Sequence, residues 1–312
     1  MTPAVSVVIP AYNAALHLPA ALESVRSQDC NSLEVVVVDD GSTDETWSLL
    51  AGHASTIRSF RQRNSGVAAA RNRAIVESRA RLVAFLDADD IWLPGKLSKQ
   101  LAVLADRADC GVCHSAFQVV SPEGSKREVV RYRRAGSLLH DLLMFGNVVG
   151  TPSTVVADRG LVLKLGGFDP NLSQCADWDL WLRLARITNF CYIDEPLVQY
   201  HRHEKNMSRN VALLERDSVR AVEKAFVGTD LPASLLCQRA RALARNYSVL
   251  AGSYLQGGQT SEALRCLFQA IRLRPQEILR AGALPWRRGR RALARRASMP
   301  SRSARRDPDR GP

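Results

Sequence analysis

Phe85-Leu86-Asp87-Ala88-Asp89-Asp90 sets three carboxylates directly behind a short apolar run. Carboxylates this close repel one another and are costly to desolvate together. A hard divalent cation, Mg2+ or Mn2+, that also grips a diphosphate relieves both penalties. Val38-Asp39-Asp40-Gly41-Ser42 repeats the arrangement upstream. A carboxylate at a strand end accepts hydrogen bonds from a base or ribose, although Asp-Gly-Ser is equally a turn leading into a helix. Asp177-Trp178-Asp179-Leu180-Trp181 reads as a helix beginning near an acidic residue, with Leu180, Trp181 and Leu184 on its core stripe; the plainest role for Asp177 is a helix N-cap. Asn64-Ser65-Gly66 stands before another helix as a cap.

The acids are useful only if the elements before them aim them at one place. Val5 to Pro10 and Glu34 to Val38 are short, β-branched and continuously apolar, the pattern of strands buried on both faces. A helix over 14–28 lies between them, so the unit is strand–helix–strand with a parallel sheet and a right-handed crossover. The rhythm continues with a helix over 43–50, a strand over 57–61, a helix over 67–78 and a strand over 81–86. The expected fold is α/β, and ligands in such sheets bind beyond the carboxyl ends of the strands. Strand candidates follow at 112–120, 154–157, 189–193 and 197–202; beyond about 206 the pattern is helical. Within it Tyr247, Leu250, Ala251, Tyr254, Gly258, Ala263, Leu267, Ala270 and Pro275 stand at the spacing of one tetratricopeptide unit, or of a generic helical hairpin.

Composition narrows the classes. Of a net charge of +12, ten arginines and two aspartates fall in residues 287–312. Such a tail is expected to be disordered and to meet a polyanion. Pro285-Trp286 followed by Arg287, Arg288, Arg290, Arg291, Arg295 and Arg296 suggests a basic amphipathic segment at an anionic membrane surface. No nucleic-acid recognition module stands in the body, so no nucleic-acid partner is expected. The absence of Gly-x-Gly-x-x-Gly after the first strand speaks against a dinucleotide dehydrogenase. The opening residues lack a basic n-region, and seven scattered cysteines argue against a secreted disulfide framework. The expected location is cytoplasmic, with the tail directed to the inner face of the membrane. Cys110-Gly111-Val112-Cys113-His114 has no second ligand pair at finger spacing, so zinc is not expected.

Taken in order, these elements resemble glycosyltransferase family 2, with its GT-A fold. The matching segments are 5–13, 38–44, 64–72, 86–94 (Leu86-Asp87-Ala88-Asp89-Asp90 with Trp92-Leu93-Pro94), Gly166-Gly167-Phe168-Asp169, Asp177 to Trp181, and Tyr200-His201-Arg202-His203 with Asn206 and Ser208. The resemblance implies a GT-A nucleotide-binding domain over 1–208 with a mostly parallel central sheet. It leaves a C-terminal α-helical extension over 209–286 and the basic tail over 287–312. It implies inverting transfer of a sugar from a nucleotide-sugar, often a UDP-sugar, to the hydroxyl of a glycan or lipid-linked acceptor.

Residue by residue, Pro10, Ala11, Tyr12, Asn13 and Asp40 would hold the base, and Arg71 and Asn72 would lie beside the nucleotide. Asp87 and Ala88 would face the ribose. Asp89, with Asp87 and His203 near it, would hold Mn2+ or Mg2+. Gly166, Gly167 and Trp178 would line the sugar cleft, and Asp177 would be the general base. Ala176 stands where relatives often have Glu, and His201 where they have Arg. The competing reading is a non-catalytic nucleotide-sugar-binding scaffold, which would bind donor without turning it over.

Overall fold

The computed structural model describes residues 2–53, 55–121, 127–132, 137–202, 210–227 and 231–276. The first half runs β1 (Val5–Ala11), α1 (Leu18–Arg26), β2 (Leu33–Asp39), α2 (Thr46–Ala51), β3 (Arg58–Arg61), α3 (Val67–Glu77), β4 (Leu82–Phe85), β5 (Ile91–Trp92) and α4 (Lys96–Asp106). It continues through β6 (Cys110–Val120), β7 (Arg127–Val130), α5 (Leu138–Phe145), a 3-10 turn at Pro152–Thr154, β8 (Val156–Asp158), α6 (Arg159–Lys164), α7 (Ala176–Leu184) and β9 (Asn189–His201). Helices α8 (Val211–Ala225), α9 (Ala233–Leu236), α10 (Arg239–Gln256) and α11 (Thr260–Leu273) follow. His203 and the basic tail lie outside the described residues.

Period-two alternation builds the two faces of the sheet. Val5, Val7, Ile9, Val35 and Val37 pack beneath α1 and α4, whereas Val8, Val36, Val38, Val83 and Phe85 pack beneath α3. Both faces are covered, which is why the strands read as unbroken apolar runs. The strand order is β3-β2-β1-β4-β8-β6-β9-β5, with β7 paired to β6. β1, β2, β3 and β4 form the parallel block, and β6 and β9 are a second parallel pair; β8 joins the two antiparallel to both neighbours.

Three local features differ from expectation. Helix α1 begins later than position 14, with Pro19 in its first turn, where the missing N–H costs no helical bond. The expected strands over 189–193 and 197–202 are one strand, β9, ending at His201, because a register shift opposite Ser115 and Ala116 absorbs Asp194 and Glu195 and admits Pro196. Cys110 and Cys191, 81 residues apart in sequence, form a disulfide because β6 and β9 are adjacent. Counting cysteines could not pair them.

The face beneath α3 continues into the C-terminal helices: Ala221, Val222, Leu235, Ala242 and Leu243 belong to the same core as Phe85 and Trp181. Helices α10 and α11 form a hairpin that buries Leu250, Tyr254, Ala263 and Cys266 against α8. Among the described residues no helix is long and apolar enough to cross a membrane.

Candidate active site

The chain leaves β1 toward β2 and β3, then returns to place β4 on the other side of β1. That reversal opens a crevice at the carboxyl ends of β1 and β4. Pro10, Ala11, Tyr12 and Asn13 end or follow β1, and Asp87, Ala88 and Asp89 follow β4. Tyr12, directly after β1, is 52% exposed. Asn13 takes a positive φ of 48°, which asparagine tolerates. Its backbone N–H donates to Ser42 Oγ (2.9 Å), and its side-chain carbonyl accepts from Thr43 N–H (2.8 Å). The loops after β1 and β2 are thereby tied together.

Asp40 is buried and accepts from Gln62 Nε2 (2.8 Å), Ser65 N–H (2.9 Å) and Gly66 N–H (2.8 Å). The cap expected from Asn64-Ser65-Gly66 is therefore supplied from outside: Gly66 is the N-cap without a capping side chain, and the next strand end satisfies the backbone. Asp40 thus fixes the start of α3, the helix that carries Arg71 and Asn72.

Arg71 donates to Asp87 Oδ1 at 2.5 Å and lies over the Phe168 ring at 5.3 Å. Asn72 holds the backbone of Phe168 from both sides, donating to its carbonyl (2.7 Å) and accepting from its N–H (2.8 Å). Gly167 makes this possible. At φ 71° a Cβ there would stand 2.3 Å from Asn72 Oδ1. Gly166 shares the left-handed conformation but has open space around it.

Beside the partly accessible acids Asp87 and Asp89, Asp90 is fully buried and accepts from Ser153 Oγ at 2.6 Å, while Asp87 N–H donates to the same hydroxyl at 3.0 Å. Burial first, then the charges of Asp89 and Asp87, raise its carboxyl well above the usual range. Asp87 and Asp89 remain partly accessible. The donor set fits a hard cation: two accessible carboxylates at the crevice, crowded enough to perturb the acid beside them. Among the described residues no group of three potential ligands forms.

Helix α7 begins at Ala176 with Cys175 as N-cap, so Asp177 is not the cap but lies in the first turn. Its Oδ1 accepts from Trp178 N–H (2.7 Å) and its Oδ2 from Asn147 Nδ2 (2.8 Å). Asn147 is itself fixed: Nδ2 also donates to Gly150 O (2.8 Å), and Gly150 N–H donates back to Oδ1 (3.2 Å). Desolvation pushes the Asp177 carboxyl up to about 6; the Arg71 charge, Trp178 N–H and Asn147 oppose it, while Asp87 adds to it. Trp178 is buried with its indole N–H donated to Leu142 O at 3.0 Å. Leu180, Trp181 and Leu184 are fully buried, as their stripe predicts.

Several supporting residues carried no motif. Asp217 of α8 accepts from the backbone N–H of Ser173 (2.6 Å) and Gln174 (2.8 Å), holding the turn that precedes α7. Lys224, also of α8, pairs with Asp169 (2.6 Å) and Asp179 (2.8 Å). Arg183 donates to Gly167 O (2.7 Å) and pairs with Asp179. Asp217 did leave a trace, because it falls on the apolar stripe of α8 beside Ser218, Ala221 and Ala225, where an unpaired charge is disfavoured. The finger-like Cys110 is spent on its disulfide, and burial pushes the neighbouring His114 down to about 3.

The profile of Glycosyl transferase family 2 matches residues 6–165. A putative teichuronic acid biosynthesis glycosyltransferase, TuaG of Bacillus subtilis, is 30% identical over 213 residues, covering 67% of this chain and 82% of the relative. An uncharacterized glycosyltransferase of Rickettsia typhi is 28% identical over 238 residues, 72% of each chain. Among solved structures, S. aureus TarS 1-349 superposes with a TM-score of 0.65 at 20% identity, covering 88% of this chain and 82% of that one. The mannosyltransferase PcManGT of Pyrobaculum calidifontis, in complex with GDP-Man and Mn2+, gives 0.61 at 20% identity over 94% and 85%. At these identities the likeness shows the fold.

Proposed function

The chain belongs to glycosyl transferase family 2 and is a glycosyltransferase, and from that premise we propose that it inverts the anomeric centre of a nucleotide-sugar with Asp177 as general base. The observation that carries this reading is the Asp177 carboxylate: held by Asn147, raised toward neutrality, and electrostatically linked through Arg71 to the acid Asp87 at the donor crevice. A base poised near working pH takes a proton most effectively.

In this mechanism Tyr12, Asn13 and the ends of β1 and β2 receive the base, and Asp87 with Ala88 faces the ribose. One structural neighbour is complexed with UDP-GlcNAc and another with GDP-Man, which supports a nucleotide-diphosphate-sugar as donor. Asn72 and the Gly166-Gly167 turn shape the sugar cleft. The acceptor hydroxyl loses its proton to Asp177 as its oxygen bonds to C1 opposite the diphosphate. The C1–O bond to the diphosphate breaks, and the electron pair leaves with the nucleotide. Asp89, with Asp87 beside it, would hold a Mn2+ or Mg2+ ion, which supplies charge neutralisation on the leaving group. The expected contribution of His203 lies outside the described residues. The chain divides functionally into a catalytic unit over 1–208, a helical extension over 209–286 that holds α7 in place, and the basic tail.

Asp177→Asn preserves the side-chain shape and leaves Asp87 and Asp89 in place, while it removes the proton acceptor together with its negative charge. Turnover should fall by about 10²–10⁴ while donor affinity by calorimetry stays within about twofold; near-normal turnover would exclude the base assignment. Asp89→Ala should abolish the effect of Mn2+ on donor affinity. Retained metal dependence in that variant would move the ion elsewhere.

A further inference from the structure

A cavity of about 240 Å³ opens between α5, the start of α7, α8 and α10. Leu143, Trp178 and Leu250 give it apolar walls, Asp177 reaches it from α7, and Arg245 reaches it from α10. It is small against the roughly 300–1,000 Å³ of drug-sized sites, a size suited to one sugar ring. Arg245 is held over the Phe145 ring at 5.1 Å, and its neighbour Asn246 is fixed by donating to Ser218 Oγ at 3.1 Å. Of the three arginines along Arg239–Gln256, Arg239 pairs with Glu223 at 3.7 Å and Arg245 is the one that lines the cavity, where it faces Asp177 across the apolar walls. The donor diphosphate has its own place at the strand ends, leaving this second cationic group without a donor role. Helices α8 and α10 lie beyond the residues that match the family profile.

We propose that this cavity binds the acceptor's reacting sugar and that Arg245 selects acceptors carrying a carboxylate or phosphate on that sugar. The proposal rests on Asp177 as the base, because only then does a hydroxyl in the cavity meet the proton acceptor. The apolar walls pack against the C–H faces of the ring, and the guanidinium makes charge-assisted, bidentate bonds to either anion.

The test titrates the full chain by calorimetry with gluco and galacto forms of a methyl uronide, a methyl 6-phosphate glycoside and the neutral methyl glycoside. At least one anionic ligand should bind tenfold or more tighter than its neutral counterpart, and the tighter anion identifies the source. Arg245→Gln should bring it to the neutral level. Val249→Trp, at an exposed lining position, should narrow the cavity without disturbing the fold and weaken all of them. Equal binding of neutral and anionic ligands, undiminished discrimination in Arg245→Gln, or unchanged binding in Val249→Trp would each overturn the proposal. Asp177→Asn retains the binding site, so failure of the base assignment is read separately from its turnover.

Discussion

At the residue scale the proposed base, Asp177, has to be ionised to act. Its carboxyl sits near 6 because desolvation outweighs the help of Arg71, Trp178 N–H and Asn147, with Asp87 adding repulsion. Only the deprotonated form accepts a proton, so kcat/KM should fall as pH drops through about 6. The Asn147 amide bonds the charged form, and its removal favours the protonated one. Asn147→Ala should therefore move the acidic limb of the profile upward by about one pH unit, the equivalent of one charge-assisted hydrogen bond. A limb left in place, with kcat lowered uniformly, would show that Asn147 only supports the loop. Asn147 acts through Asp177 and is a positioning residue, which is why its readout is the profile rather than the rate alone.

At the element scale, α3 and the turn after α6 are joined by two hydrogen bonds between Asn72 and the Phe168 backbone. The contact orients the ring on which Arg71 rests, and Arg71 in turn holds Asp87. Gly167→Ala inserts a methyl against the Asn72 carbonyl in a left-handed conformation. Strain and the lost bonds together should cost about 2–4 kcal/mol and reduce kcat/KM at least tenfold. Gly166→Ala carries the backbone strain without the collision and is the matched comparison. If thermal melts and kinetics of the two variants coincide, the Asn72 clamp has no mechanical importance. On the other side of the site, Asp217 and Lys224 let α8 set the position of α7, so the helices after the sheet help to place the helix that carries the proposed base.

At the scale of the whole molecule, the core beneath α3 runs without a break into α8 and α10, while most of the net charge lies in the tail. Ten arginines against two aspartates in residues 287–312 suit an anionic lipid surface, where each basic residue contributes about 1 kcal/mol. We propose that this segment docks the enzyme to membrane-borne acceptors. Truncation after Pro285 should preserve turnover on water-soluble acceptors and lower co-sedimentation with anionic vesicles at low salt. Equal vesicle binding by truncated and full-length chains would refute a membrane role for the tail.

The sequence by itself determined the sheet's parallel block and the position of its acids. Unbroken apolar runs such as Val5 to Ile9 mark strands covered on both faces, and Asp40 and Asp87 follow such runs directly, so local pattern suffices to put them at strand ends. Period-3.6 spacing likewise identified the buried stripe of α7. What only the tertiary structure decided are the pairings between distant segments. Asn147 meets Asp177 across 30 positions, Asp217 meets Ser173 across 44, and Cys110 meets Cys191 across 81. Strand order and helix packing bring these together, and neither is encoded in the residues flanking each partner. Asp40 is the clearest case of the difference: its sequence marks it as a strand-end acid, yet its three hydrogen bonds to residues 62–66 exist only because β2 and β3 are neighbours and α3 starts above them.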